Sequence, residues 1–293
     1  MAPATPRISV VLPTLDQADF LPGAIESVIA QDYPETEFIV IDGGSRDHTV
    51  DVLRRYESHL AYWVSEPDHG QCHAINKGFA RATGDIFYWH NTDDVVEAGA
   101  FHYAAGQLAD VSRAQWLVGA ARLIDKQGRA IGVRTPGPVD ENTFLLWCIR
   151  WIPTQSVFWT RPMWDAAGPF DESLHYVMDL SQWQRMYRVA PAIVTDRILA
   201  SYRLHWESKS FSNVPKSRAE RKRHIKKLIV EEIARAQNGD SGRSIDEIAE
   251  NLAVVLDELG DEYVIRERMR KHRILGPILR RFTDLRRNAI LEP

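Results

Sequence analysis

Cysteine is scarce in this chain. Cys72 and Cys148 are the two present in 293 residues, and no Cys-x-x-Cys spacing occurs. That excludes a cysteine-built zinc site and fits a reducing compartment. Long apolar runs are missing too: none approaches the roughly 18 residues of a membrane-spanning helix. Residues 1–7 carry no apolar signal region, so a cytoplasmic location is expected. Internal repeats and low-complexity segments are absent. Excess charge of one sign is small, −4 overall, but unevenly spread. Residues 266–287 hold nine Arg/Lys against two acids, a local +7 that leaves −11 for the remainder. A basic tail on an otherwise acidic protein argues against nucleic acid as a partner.

What is present is ordinary for a globular protein: 44% apolar and 26% charged residues. The length suits one large or two modest domains. Nine tryptophans are many, and several fall between positions 147 and 183, which points to a sheltered cleft or to a large core. Up to residue 112, strand and helix patterns alternate. Apolar runs at 8–12, 38–41, 60–64 and 86–89 read as strands, and 21–29, 49–56 and 74–82 have helical spacing. Four such units imply a mostly parallel sheet with helices on both faces. Beyond residue 112 the pattern changes. Residues 116–124 and 130–133 read as a hairpin around Lys126-Gln127-Gly128. Strands at 157–160 and 193–202 and helices at 161–167 and 179–189 follow. Residues 208–213 and Pro215 mark a boundary, after which the chain is nearly all helix-forming.

Each early apolar run ends in small or acidic residues: Pro13-Thr14, Asp42-Gly43-Gly44-Ser45, Ser65-Glu66-Pro67-Asp68 and Asn91-Thr92-Asp93-Asp94. Open α/β sheets bind ligands at the carboxyl ends of their strands, so these ends are candidates for one rim. Asp93-Asp94 is the most informative of them. Two adjacent carboxylates repel, and a hard divalent cation holding a diphosphate would compensate them. The plainer reading is a solvated turn capping the helix that starts near Glu97.

In order and spacing, these segments, with Val10-Val11-Leu12, Asn76-Lys77-Gly78 and Ala82-Thr83-Gly84-Asp85, resemble the nucleotide-binding half of a family 2 glycosyltransferase with the GT-A fold. The resemblance continues through residues 155–159, Gly168-Pro169-Phe170-Asp171-Glu172, Met178-Asp179 and Tyr202-Arg203-Leu204-His205. It implies an α/β GT-A domain, Rossmann-like, over residues 1–212. The nucleotide-binding half would cover 7–112 and the acceptor half 113–212. A helical, basic C-terminal extension, 213–293, lies outside it. The implied activity is metal-dependent, inverting transfer of a sugar from a UDP-, GDP- or dTDP-linked donor. The acceptor would be a hydroxyl of a glycan or a lipid-linked molecule, as in bacterial surface-polysaccharide assembly. The implied cofactor is Mn2+ or Mg2+ at a DXD-like motif.

Carried over residue by residue, Asp94 is the direct metal ligand, and Asp93 touches the ribose or the metal shell. His205 completes the metal or phosphate site. Asp179 is the general base for the acceptor hydroxyl, whose high pKa requires one nearby. One base without a second nucleophilic carboxylate suits inversion. Asp42 reads the base or ribose, Pro13 and Thr14 line the base pocket with Asp16 beside them, and Lys77 lies near phosphate. Structural readings stand beside these: Asp179 as a helix cap, Lys77 as a solvated helix lysine and His205 as a loop histidine. The chain departs from the family pattern in three places. Leu15-Asp16 replaces Tyr-Asn, Gly43 replaces a second acid, and His73 next to Cys72 replaces another.

Two other classes compete. A sugar nucleotidyltransferase would carry a Gly-rich loop where Pro13-Thr14-Leu15-Asp16 stands. A non-catalytic nucleotide-sugar-binding module would not need Asp42, Asp93, Asp94 and Asp179 together. The tail poses a separate question. Ile225, Leu228, Ile229 and Ile233 follow a densely basic stretch at helical spacing, and a second helix is expected at 245–259. Ile274, Ile278, Phe282 and Leu285 form a stripe flanked by Arg280, Arg281, Arg286 and Arg287. That pattern suits an interfacial helix, so 261–293 is expected to touch anionic membrane, placing the protein peripherally on the cytoplasmic face. Gly276-Pro277 would kink such a helix. The alternative is packing on its own domain or on a partner, and self-association is left open.

Overall fold

The computed structural model describes residues 5–137, 152–205, 208–209 and 214–239. The chain divides into two compact units, residues 1–139 with 152–220 and residues 140–151 with 221–293. The first unit opens with β1 (Ile8–Thr14), α1 (Leu21–Ile29), β2 (Thr36–Asp42), α2 (Thr49–Tyr56), β3 (Tyr62–Ser65), α3 (Gln71–Arg81) and β4 (Ile86–Trp89). The four strands are parallel and lie in the order β3-β2-β1-β4. Thr14 pairs with Asp42, and Asp42 with Ser65, so three strand ends are level with one another.

Alternation along β1 assigns its two faces. Ile8, Val10 and Leu12 join a cluster with Leu21, Ile25, Val52 and Phe101, so α1, α2 and α4 (Ala100–Gln107) cover one side. On the other side Gly78 of α3 meets Val11, where an added Cβ would stand 2.3 Å from a methyl carbon. Only glycine lets that helix approach so closely.

Beyond β4 the sheet becomes mixed. It continues through β8 (Val157–Thr160), β6 (Trp116–Ile124), β9 (Ile193–Arg203) and β5 (Val95–Val96), with β7 (Ala130–Arg134) paired to β6. The continuous parallel run is therefore confined to the first four strands. β8 runs antiparallel to β4 and β6, whereas β9 runs parallel to β6. The two-residue β5 pairs antiparallel with β9, Val95 against Ser201 and Val96 against Ala200. This short ladder carries the end of β9 to the residues just after Asp94. Helices α5 (Arg161–Ala167) and α6 (Met178–Val189) complete the half.

The described tryptophans settle the choice between cleft and core. Trp116, Trp159 and Trp183 are fully buried. Their rings meet one another and Phe79 and Phe170 at centroid distances of 5.2–6.4 Å. Asn76 of α3 joins the two halves of the unit. Its side chain donates to the Phe170 carbonyl and accepts the Phe170 N–H, both at 2.9 Å.

Helix α7 (Val214–Gln237) begins near the expected boundary, but the first compact unit runs on to Glu220. Glu220 accepts the backbone N–H groups of His175, Tyr176 and Val177 at 2.6–3.1 Å. The expected helix at 245–259, the stripe Ile274, Ile278, Phe282 and Leu285, and Trp147 and Cys148 lie outside the described residues. Among the described residues no helix is long and apolar enough to cross a membrane.

Candidate active site

The acid pair leaves β4 as expected, and its two members differ sharply. Asp94 is 1% exposed. Its Oδ1 accepts the Arg203 N–H and its Oδ2 accepts the Asn91 amide, both at 2.9 Å. Burial and the adjacent Asp93 charge push its pKa well above the usual carboxylate range, against the pull of these hydrogen bonds. Asp93 is less enclosed, and its Oδ2 lies 2.9 Å from His205 Nε2. Both Asp94 oxygens are held by protein donors, and Asp93 is the acid that faces His205.

Arg203 organises this arrangement from the end of β9. Besides its N–H to Asp94, its Nε donates to the Asp93 carbonyl at 2.8 Å. His205, two residues on, is buried with its ring 4.9 Å from that of Phe20. A second chain of contacts reaches Asp94 from α3. Lys209 donates to Gln71 Oε1 at 3.0 Å, Gln71 donates to Asn91 Oδ1 at 3.2 Å, and Asn91 donates to Asp94. Sequence reasoning missed Arg203, Asn91 and Gln71 as site residues, although all three stand inside or beside the motifs it used.

Asp179 lies in the first turn of α6, half-buried. Its Oδ2 accepts the Thr154 hydroxyl at 3.0 Å, and its Oδ1 the N–H of Leu180 at 2.7 Å. The helix has no side-chain cap at Val177, so Asp179 is not its N-cap. Burial lowers the Lys209 pKa, and the Asp179 charge works to raise it, which sets these two groups in each other's field.

The expected donor residues occupy the neighbouring strand ends. Thr14 is buried, and its hydroxyl has no hydrogen-bond partner among the described residues. The Pro13 carbonyl accepts the Thr92 hydroxyl at 3.0 Å, tying β1 to the Asp93 turn. Asp16 adopts a left-handed backbone (φ 52°), which a short polar side chain tolerates. It accepts the Arg46 N–H at 2.7 Å, so it staples two turns together. Asp42 is fully buried and accepts from the hydroxyls of Ser45 and Ser65 and from the Ser45 N–H. Lys77 forms an ion pair with Glu66 and holds that carboxyl below its ordinary pKa.

Among the described residues no group of three or more His, Cys, Asp or Glu is arranged to hold a metal ion. The Asp93 carboxylate could still serve as one ligand of a cation such as Mg2+, which takes one or two carboxylates and completes its shell with water and substrate phosphates; the His205 imidazole is hydrogen-bonded to it.

In solved structures this architecture belongs to GT-A enzymes. Staphylococcus aureus TarS 1–349, in complex with UDP-GlcNAc, aligns at a TM-score of 0.63 and 16% identity, over 86% of this chain and 72% of that one. The mannosyltransferase PcManGT from Pyrobaculum calidifontis, in complex with GDP-Man and Mn2+, aligns at 0.58 and 19% identity, over 98% and 81%. At these identities the likeness concerns the fold. Residues 9–130 match the model of Glycosyl transferase family 2. An uncharacterized glycosyltransferase of Rickettsia conorii is 29% identical over 217 residues, 70% of this chain and 36% of that protein. The PGL/p-HBAD biosynthesis glycosyltransferase of Mycobacterium bovis is 28% identical over 208 residues, 68% of this chain and 77% of that protein. This chain therefore spans little more than a third of the Rickettsia relative. Residues 9–130 are thus similar to family 2 glycosyltransferases, and the fold is that of GT-A enzymes.

Proposed function

We propose that the chain is an inverting glycosyltransferase acting in glycan assembly, with a nucleotide-diphosphate sugar as donor and a hydroxyl as acceptor. The observation that carries this reading is the Asp93–His205 contact, built at a strand end from residues 112 apart in the chain. A divalent cation held there would neutralise charge developing on the departing diphosphate. Asp93, rather than Asp94, supplies the carboxylate, because Asp94 is spent on Arg203 and Asn91. Asp179, oriented by Thr154, accepts the proton of the acceptor hydroxyl as its oxygen attacks the anomeric carbon. Attack opposite the leaving group inverts that centre. Thr14, Pro13 and the turns after β2 and β3 line the nucleoside side, and Asp42 holds their shape.

The test is turnover of labelled UDP-, GDP- and dTDP-sugars with Mn2+ or Mg2+, together with the anomeric configuration of the product. Asp179→Asn should lower turnover by about 10² or more, leaving donor affinity nearly intact. Parent-like turnover in that variant removes Asp179 from the mechanism, and retained configuration in the product overturns inversion. The residue pattern of 261–293 supports a further contact with anionic membrane. Liposome co-sedimentation should then weaken as salt rises. A full-length chain that ignores anionic liposomes at low salt would count against it.

A further inference from the structure

Resting on that reading, we propose that Asp68 is the carboxylate that reads the donor's nucleobase, and that residue 43 is glycine so that Asp68 can stand over it. The sheet order locates the base. Asp93 at the end of β4 marks the phosphate side, and β1, β2 and β3 follow in that direction. Two to three strand spacings are about 10–14 Å, the reach of an extended nucleoside diphosphate. The base therefore falls over the ends of β2 and β3.

Two acids stand there, and one is already used. Asp42 is fully buried, with both oxygens accepting from Ser45 and one also from Ser65. Asp68 is different. Its Oδ1 accepts the Gly70 N–H at 2.7 Å, which fixes the carboxylate from one side. Its Oδ2 stands 2.7 Å from where a Cβ on Gly43 would be, closer than real Cβ contacts allow. The next residue confirms how tightly the two turns press: Gly44 has φ +85°, and its Cβ would meet the Pro67 nitrogen at 3.1 Å. Beside them, Thr14 pairs with Asp42, accepts the Gly43 N–H on its carbonyl at 2.9 Å, and keeps a buried hydroxyl without a partner among the described residues. An anchored carboxylate thus stands over bare glycine backbone.

A carboxylate only accepts hydrogen bonds. It suits bases with a ring N–H on the pairing edge, which are uracil, thymine and guanine. Cytosine presents a bare acceptor nitrogen at that place and leaves only its N4 amino group to donate, so it should bind less well. Asp68 is therefore a specificity residue that selects UDP, dTDP or GDP over CDP.

Calorimetry on the full chain with Mn2+ tests this, using UDP, dTDP, GDP, CDP and inorganic pyrophosphate as probes. The parent should prefer the best of the first three over CDP by about tenfold or more. Asp68→Asn should shrink that preference about tenfold, because an amide can donate to cytosine, while pyrophosphate affinity and melting temperature hold. Gly43→Ala should displace Asp68 and weaken the preferred nucleotide without affecting pyrophosphate. A base preference unchanged in Asp68→Asn, or no discrimination against CDP by the parent, overturns the assignment of Asp68 alone. A parent that binds no nucleoside diphosphate overturns the donor reading itself, and this inference with it.

Discussion

Buried acids stand at both ends of the parallel strands, and two of them, Glu37 and Asp94, are held in different ways. At the amino ends, Glu37 accepts from the Ser9 hydroxyl at 2.5 Å and from the Thr83 hydroxyl and N–H at 2.7 and 2.6 Å, with Arg7 at 3.7 Å. Burial alone would raise its pKa, but these donors and the Arg7 charge bring it below the ordinary value. Gly84 closes the cluster. It donates to Ser9 Oγ at 2.8 Å, and a Cβ there would stand 2.5 Å from that oxygen. At the carboxyl ends, Asp94 also has protein donors, yet burial and the Asp93 charge together raise its pKa. A buried acid whose charge the protein answers in full is architecture. A buried acid whose pKa stays raised gains from a proton or a cation. The Thr83-Gly84-Asp85 motif, read from sequence as one family signature among several, belongs to the first kind.

That contrast can be broken most strongly at the architectural end. Glu37→Ala strands the Ser9 hydroxyl and the Thr83 hydroxyl and N–H as donors. It should cost about 4 kcal/mol in urea unfolding, while the surviving folded protein keeps its nucleotide affinity. A loss below about 1 kcal/mol would mean that the cluster is not structural.

At the other end the next effect is on pH dependence. His90 is fully buried, its ring 5.7 Å from that of Tyr88, and burial pushes its pKa down to about 4, against the pull of the Asp93 charge. Its unfolded value is near 6.5. As pH falls below about 6.5 the unfolded chain binds the proton first. The neutral imidazole's contribution, present above that pH, is then lost down to about pH 4, on the order of 3 kcal/mol. Thermal melts across this window should show the loss, and His90→Leu should flatten it. Superimposable profiles would remove His90 from the acid response.

The smallest effect on stability, and the clearest on binding, is expected at Asp93. Asp93→Asn should weaken nucleoside diphosphate binding in Mn2+ by about 10- to 100-fold. Its unfolding free energy should shift by no more than about 0.5 kcal/mol. Equal damage to stability and binding would erase the distinction between the two ends.

Much of this was legible in the chain. Helices at 21–29, 49–56 and 161–167 and the strand at 86–89 stand where their apolar spacing puts them, because burial of one face imposes its period on the sequence. Two-residue β5 was not legible, since two residues carry no period. Nor was the place of β8 between β4 and β6, which depends on pairing between distant segments. The acids of the candidate site were legible as a group, while their different surroundings were not. Asp93 and Asp94 are neighbours in sequence, and what separates them is Arg203 and His205, 109 and 112 residues away from their respective partners.

By itself, then, the sequence determined which residues would be buried in strands, and that small and acidic residues would gather where the parallel strands end. Local stereochemistry and the cost of exposing apolar surface are enough for that. Tertiary structure alone decided which acid is held by Arg203 and Asn91 and which faces a histidine. It also decided that Asp68 fills the space above Gly43. Those outcomes depend on how two turns or two strand ends approach one another within a few tenths of an ångström. No pattern along a single segment encodes that distance.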